Sequence, residues 1–307
     1  HARSKSRGQN TTTQLHNSPD GVAAGKVILL GEHAVVYGKH GLALPIKTAV
    51  SAKVVKQDAA DSKYVRKMLE FIKQKLELSD DAGEVEIRTR LPAGMGLGVS
   101  AAIAVAVIRA LDSKLSLRMG DDAVNALAYE CEKLAHGNPS GIDNSIATHA
   151  VPMLFRKSNE LISQQLATAS PPIVIAFSSQ PGSTLQQVAG VRDRYQEQPQ
   201  HYDSVFGAMD DLAIDGAEAL RSKDYAHLGR LMNTAHGLLN TIGVSTPELE
   251  NMVAVARAAG AAGAKLTGSG GGGSIVAVCP GTTDDVVAAL DACGFETLAL
   301  ADWEGSK

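Results

Sequence analysis

The sequence predicts an α+β protein built as two domains, and three observations carry that expectation. The chain has 307 residues, roughly twice the common domain size. Its strand-like and helix-like segments come in runs, not in the regular alternation of a doubly wound parallel sheet. A break at Ser170-Pro171-Pro172 separates the runs, giving expected domains over 22–170 and 171–307 behind a polar extension, 1–21.

The elements follow from local pattern. Val27–Leu30, Ala34–Tyr37 and Leu42–Val55 read as strands on either side of a Gly-Glu-His turn. Between Asp61 and Leu78, Met68, Leu69, Ile72 and Leu76 recur at helical spacing among lysines, an amphipathic helix with a solvated face. Glu84–Arg88 alternates as a strand. A glycine-rich loop, Leu91–Gly98, runs into an almost wholly apolar helix, Ser100–Asp112, which must be buried on most sides. A helix from Asp121 to about Leu134 meets a breaker at His136–Pro139, and another starts at Pro139 or Ser140. Beyond the Pro-Pro break come strand Ile173–Phe177, several helices between Thr184 and Gly260, a strand-turn-strand unit over Ala264–Cys279, helix Thr283–Cys293 and strand Thr297–Leu300.

Composition narrows the function classes. Apolar residues at 44% and charged residues at 20% describe a globular chain. Lys plus Arg number 29 against 33 Asp plus Glu, with one Trp, six Tyr and five Phe, so neither a basic excess nor a stacking set for nucleic acid is present. The longest apolar run, Val99–Leu111, contains Arg109 and falls short of the ~20 residues that span a bilayer. No membrane association is expected. Cys131, Cys279 and Cys293 cannot pair completely and lack metal-site spacing, so they read as buried free thiols of a reducing, cytoplasmic compartment. Residues 1–21 lack the apolar stretch of a secretory signal and read as a disordered tail.

Three segments carry chemistry. In Leu91–Ala102 the alternate glycines Gly94, Gly96 and Gly98 precede a helix start; inward-turned N–H groups and the positive helix end together make an anion cradle. No Gly-Lys-Ser/Thr follows, and the GxGxG spacing is not that of a dinucleotide-binding turn. In Lys265–Ser274, Gly268, Gly270 and Gly273 match GxGxxG by letter, but a strand follows where that motif needs a helix. Five glycines in six residues require a special backbone path or the close approach of a ligand. Glu132–Asn144 sets two acids across a turn; Ser140 and Asp143 fit a capping arrangement, and a carboxylate so fixed can also act on a substrate.

With GKVILLGEHAVVYG at Gly25–Gly38, these segments resemble the motifs of the GHMP small-molecule kinases, and among them the members that phosphorylate mevalonate, over about Val22 to Leu300. The resemblance implies a two-lobed fold with a ferredoxin-like C-terminal lobe, and ATP and substrate in the cleft between lobes. It places nucleotide phosphates on Gly94, Gly96, Leu97, Gly98 and Ser100, with Gly270 and Gly271 from the second loop. Mg2+ falls on Ser100 and Glu132, the catalytic carboxylate on Asp143 and its neighbouring lysine on Lys26. Glu32, His33 and Thr184, with Arg192 alongside, fall in the substrate region. Implied partners are the small-molecule substrate alone and a homodimer. Another small-alcohol kinase of the family, acting on phosphomevalonate or a sugar, is the alternative, and a catalytically silent ligand sensor is a second. Two positions depart from the pattern: Ala24 stands in place of proline, and Val99 in place of the first of two serines.

Overall fold

The computed structural model describes residues 20–56, 62–136, 139–157 and 161–300. Most of the polar tail, and Gly137 and Asn138 of the breaker, lie outside them.

The first sheet is antiparallel throughout and is organised by one long strand. β1 (Gly21–Leu30) pairs with β2 (His40–Val55). The far end of β2 pairs with β3 (Glu84–Thr89) and its first residues with β4 (Met153–Lys157), which in turn carries β5 (Leu161–Gln165). All of β1 except Val22 is buried, the near-continuous apolar reading of a strand covered on both faces. Helix α1 (Lys63–Lys75) lays Val65, Met68, Leu69 and Ile72 into this core. α2 (Val99–Leu115) packs on β1 and β2 and is buried on most sides, as its composition requires. α3 (Asp121–His136) and α4 (Ile142–His149) pack against α2.

The second sheet, in the order β7-β8-β6-β9, contains β6 (Ile173–Phe177), β7 (Gly263–Thr267), β8 (Ser274–Val278) and β9 (Glu296–Leu300). Helices α5 (Thr184–Glu197), α6 (Pro199–Arg221), α7 (Tyr225–Thr241), α8 (Pro247–Ala258) and α9 (Thr283–Ala292) accompany it. Residues of β6 alternate between two cores. Ile173, Ile175 and Phe177 join the core of the first sheet, whereas Val174 and Ala176 join a second core with Leu249, Met252 and Leu290. Ala213, Ala217 and Leu220 of α6 also belong to the first core. The two sheets therefore share packed interior.

Three expectations change, and two strands appear that none had named. Ala34–Tyr37 is a 3-10 turn, not a strand, because His33 (φ 62°) and Gly38 (φ 75°) reverse the chain at both ends. Ala34 is buried in the second core, and Tyr37 stacks on Phe206 of α6 with ring centroids 4.3 Å apart, so tertiary packing overrides the β-branched Val35-Val36 pair. Strands β4 and β5 had no clear sequence signal: β5 is an edge strand exposed along most of its length. β1 begins at Gly21, within the supposed tail, where Asp20 Oδ2 accepts from Val54 N at 3.0 Å. Cys131 and Cys279 are buried free thiols as expected, but Cys293 is exposed.

Ile175 is fully buried in the shared core. Replacing it with alanine is expected to cost ~2–5 kcal/mol in one cooperative urea transition seen alike by near- and far-UV circular dichroism. Two separated transitions would show that the lobes unfold independently.

Candidate active site

The centre of the site is an ion pair under a glycine loop. Lys26, in the middle of β1, places Nζ 3.0 Å from Asp143 Oδ1. Asp143 lies in the first turn of α4, where a carboxylate complements the helix dipole. Its helix starts at Ile142, later than the sequence suggested, because Gly141 (φ 86°) forms the N-cap; Ser140 Oγ accepts from Ile142 N. Asp143 thus faces Lys26 and does not serve as a cap. The backbone N of Lys26 donates to Leu97 O at 2.9 Å, pinning the first glycine loop to β1.

In that loop Gly94, Gly96 and Gly98 all have φ between 69° and 78°, the left-handed conformation that turns successive N–H groups inward into an anion-binding nest. A Cβ on Gly98 would lie 3.0 Å from Lys26 Cγ and 3.8 Å from Asp143 Oδ2, so the loop closes directly over the pair. No side chain caps α2 at Gly98, which leaves its first N–H groups for a ligand. The Leu97 side chain is buried in the core, and its carbonyl is taken by Lys26 N.

Beside the pair, Ser100 Oγ donates to Glu132 Oε1 at 2.7 Å, and Tyr64 OH lies 3.0 Å from Ser100 Oγ. Glu132 is 3% exposed. Among the described residues no group of three or more His, Cys, Asp or Glu could cage a metal. One carboxylate and one hydroxyl suit Mg2+, which keeps waters and takes substrate phosphate oxygens.

The second glycine loop joins β7 to β8, and all five of its glycines have positive φ. A Cβ on Gly96 would lie 3.8 Å from Gly268 Cα, so the two loops face each other across the lobes. Ser274 Oγ donates to Met95 O at 3.2 Å. Of the two glycines expected to meet nucleotide, Gly271 donates its N–H to Val244 O, and a Cβ on Gly270 would lie 2.2 Å from Val244 O. A Cβ on Gly271 would meet the Gln187 side chain of α5.

Glu32, which the family resemblance sets in the substrate region, is buried in the structure. It pairs with Lys265 of β7, which also donates to Leu266 O. Glu32 is 2% exposed and Lys265 is 0% exposed. Burial raises the Glu32 carboxyl above the usual range, against the pull of Lys265, and lowers the Lys265 ammonium. Next to it, His33 Nε2–H donates to Ser269 O at 2.8 Å; the carbonyl acceptor fixes the proton on Nε2. Thr184 Oγ1 donates to Ser269 Oγ at 3.3 Å. His33 and Thr184 therefore converge on Ser269, a residue the motif reading passed over. Arg192 is exposed, its nearest acid Asp193 at 3.7 Å. The His136 side chain lies outside the described residues.

A lysine–aspartate pair under the glycine loop of one lobe, with a second glycine loop from the other lobe facing the first, defines a GHMP kinase. The profile of the GHMP kinases N terminal domain matches residues 63–150, and that of the GHMP kinases C terminal matches 217–295. Mevalonate kinase of Thermococcus onnurineus is 33% identical over 311 residues, covering 89% of this chain and 92% of that protein. Mevalonate kinase of Methanothermobacter thermautotrophicus is 38% identical over 283 residues, covering 88% and 93%. The crystal structure of L. major mevalonate kinase in complex with R-mevalonate superposes with a TM-score of 0.80 at 29% identity, over 93% of this chain and 96% of that one. Within the GHMP kinases, the chain belongs to the mevalonate kinase family.

Burial lowers the His33 imidazole below its ordinary range. The unfolded chain therefore binds the proton more readily than the folded one, and stability falls as pH drops below about 6.5. Melting temperature is expected to decline from about pH 7.5 to about pH 5.5, with a shallower slope in His33→Gln. Equal slopes would assign the titration to His236, whose imidazole burial also lowers.

Proposed function

We propose that the chain, with lobes over 22–170 and 171–307, transfers the γ-phosphoryl group of ATP to the primary hydroxyl of mevalonate, giving 5-phosphomevalonate and ADP. The observation that carries this reading is the Lys26–Asp143 pair at 3.0 Å directly beneath Gly98. A carboxylate able to take a hydroxyl proton and an ammonium able to meet phosphoryl oxygens, together under a loop of left-handed glycines, support it. Asp143 orients the substrate hydroxyl and accepts its proton as the new O–P bond forms and the bond to the β-phosphate oxygen breaks. Lys26 stabilises charge on the attacking oxygen and the transferred group. N–H groups of Gly94, Gly96, Leu97, Gly98 and Ser100 hold the phosphates in line, so positioning and fixed dipoles supply most of the rate.

Ser100 and Glu132 would hold Mg2+, which when bound draws phosphate charge away from the attacking oxygen. On the substrate side, His33 and Thr184 act through Ser269, and Glu32 holds the loop that carries it. The high thiol pKa values of Cys131 and Cys279, both pushed up by burial to about 12, keep them out of the chemistry. Reduced cysteines also support a cytoplasmic location, and a homodimer is the assembly to test by sedimentation.

A coupled ADP-release assay across mevalonate, phosphomevalonate, homoserine and galactose is expected to give the highest kcat/KM with mevalonate. A different preferred acceptor would reject the substrate assignment. Asp143→Asn is expected to lower kcat by about 10²–10⁴-fold with ATP affinity nearly unchanged, since the carboxylate serves the hydroxyl. Near-normal turnover in a folded variant would leave Asp143 only its place at the helix start.

A further inference from the structure

Tyr64 lies outside every motif, and the role given to it here rests on the metal reading above. We propose that Tyr64 is a positioning residue for the metal side of the reaction, directing the Ser100 hydroxyl so that its hydrogen points to Glu132 and a lone pair is left facing the cleft.

The direction of the hydrogen bonds follows from donor counting. A serine hydroxyl has one hydrogen and two lone pairs, and an ionised carboxylate only accepts. The 2.7 Å contact between Ser100 Oγ and Glu132 Oε1 therefore uses the one Ser100 hydrogen. The 3.0 Å contact between Tyr64 OH and Ser100 Oγ is then a donation from tyrosine to serine. The chain runs Tyr64 to Ser100 to Glu132, and one Ser100 lone pair remains unused by it.

Ser100 needs such direction. It is the second residue of α2, so no helical turn lies behind it to take its hydroxyl, which is left to rotate about the Cβ–Oγ bond unless other side chains hold it. With its oxygen engaged by Tyr64 on one side and its hydrogen by Glu132 on the other, that rotation is blocked. The neighbouring residue offers no substitute: Val99 is half-buried against the core and has no hydroxyl. Tyr64 is suited to the task because its ring packs against the same core from the first turn of α1, which fixes the hydroxyl from a separate element.

The test uses the full chain and Mn2+ as a spectroscopic probe, with Mn2+–ADP binding followed by electron paramagnetic resonance and metal-free ADP binding by calorimetry. Tyr64→Phe keeps the ring and its packing, so a melting temperature close to wild type is expected. Its Mn2+–ADP affinity should fall about 10-fold, the low end for loss of a group that orients a metal ligand, while metal-free ADP affinity stays within about 2-fold. In a Ser100→Ala background the same change should have no further effect, because the group Tyr64 directs is gone. Unchanged Mn2+–ADP affinity in Tyr64→Phe, equal loss of metal-free ADP, or a full additional loss in the Ser100→Ala background would overturn the proposal. If the wild-type protein itself fails to bind Mn2+–ADP, the metal reading falls and this inference with it. Wild-type binding with an indifferent Tyr64→Phe removes this inference alone.

Discussion

The ion pair between Glu32 and Lys265 is the constraint on which the rest of the site depends. It joins the turn after β1 to strand β7, and neither partner reaches solvent. Its burial works against the charged form of both groups, so it is a poor source of net stability. Its value is geometric. Removing one partner of such a pair leaves the other uncompensated and typically costs ~3–5 kcal/mol, so relative sliding of the two lobes at this point is strongly opposed. Within a few residues on either side, His33 reaches Ser269 and Thr267 reaches Ile28, and both inherit their register from the pair.

That arrangement explains how two glycine-rich loops can form a defined site. Glycine loops give N–H donors freely but have no side chains to hold their own shape, and each glycine loses more conformational freedom on folding than other residues. Order here comes from outside the loops. Lys26 N holds Leu97 O, Ser274 Oγ holds Met95 O, and Val244 O holds Gly271 N. The donors remain in the loops, and the rigidity lies in strands β1, β7 and β8.

What could be read from the sequence follows the same division. The loops and Asp143 were legible because their chemistry is local: alternate glycines before an apolar helix, and a carboxylate at a helix start; Lys26 came only through the resemblance to the GHMP kinases. The partners that hold them were not. Glu32 and Lys265 are 233 positions apart, Ile28 and Thr267 are 239 apart, and Tyr64 and Ser100 are 36 apart. No periodicity links such pairs. Motif adjacency likewise could not show that Glu32, next to His33, has Lys265 of β7 as its partner. The fold class survived from run order and burial pattern, the strand expected over Ala34–Tyr37 did not, and β5 gave no signal to read. One is shaped by Tyr37 stacking on a distant helix, and the other is an edge strand with little to bury.

The outer edge of β1 has a consequence of a different kind. β2 covers one side of this strand, and the other side would present unpaired backbone groups along Lys26–Leu30, an apolar edge of the sort that templates pairing between chains. Lys26 N is instead capped by Leu97 O, and both Ile28 N and Ile28 O are met by the single hydroxyl of Thr267. The first glycine loop and the end of β7 thus act as a cover over an aggregation-prone edge. Keeping the loops in place for phosphoryl transfer also keeps the molecule from associating strand to strand, so solubility and catalytic order draw on the same few hydrogen bonds.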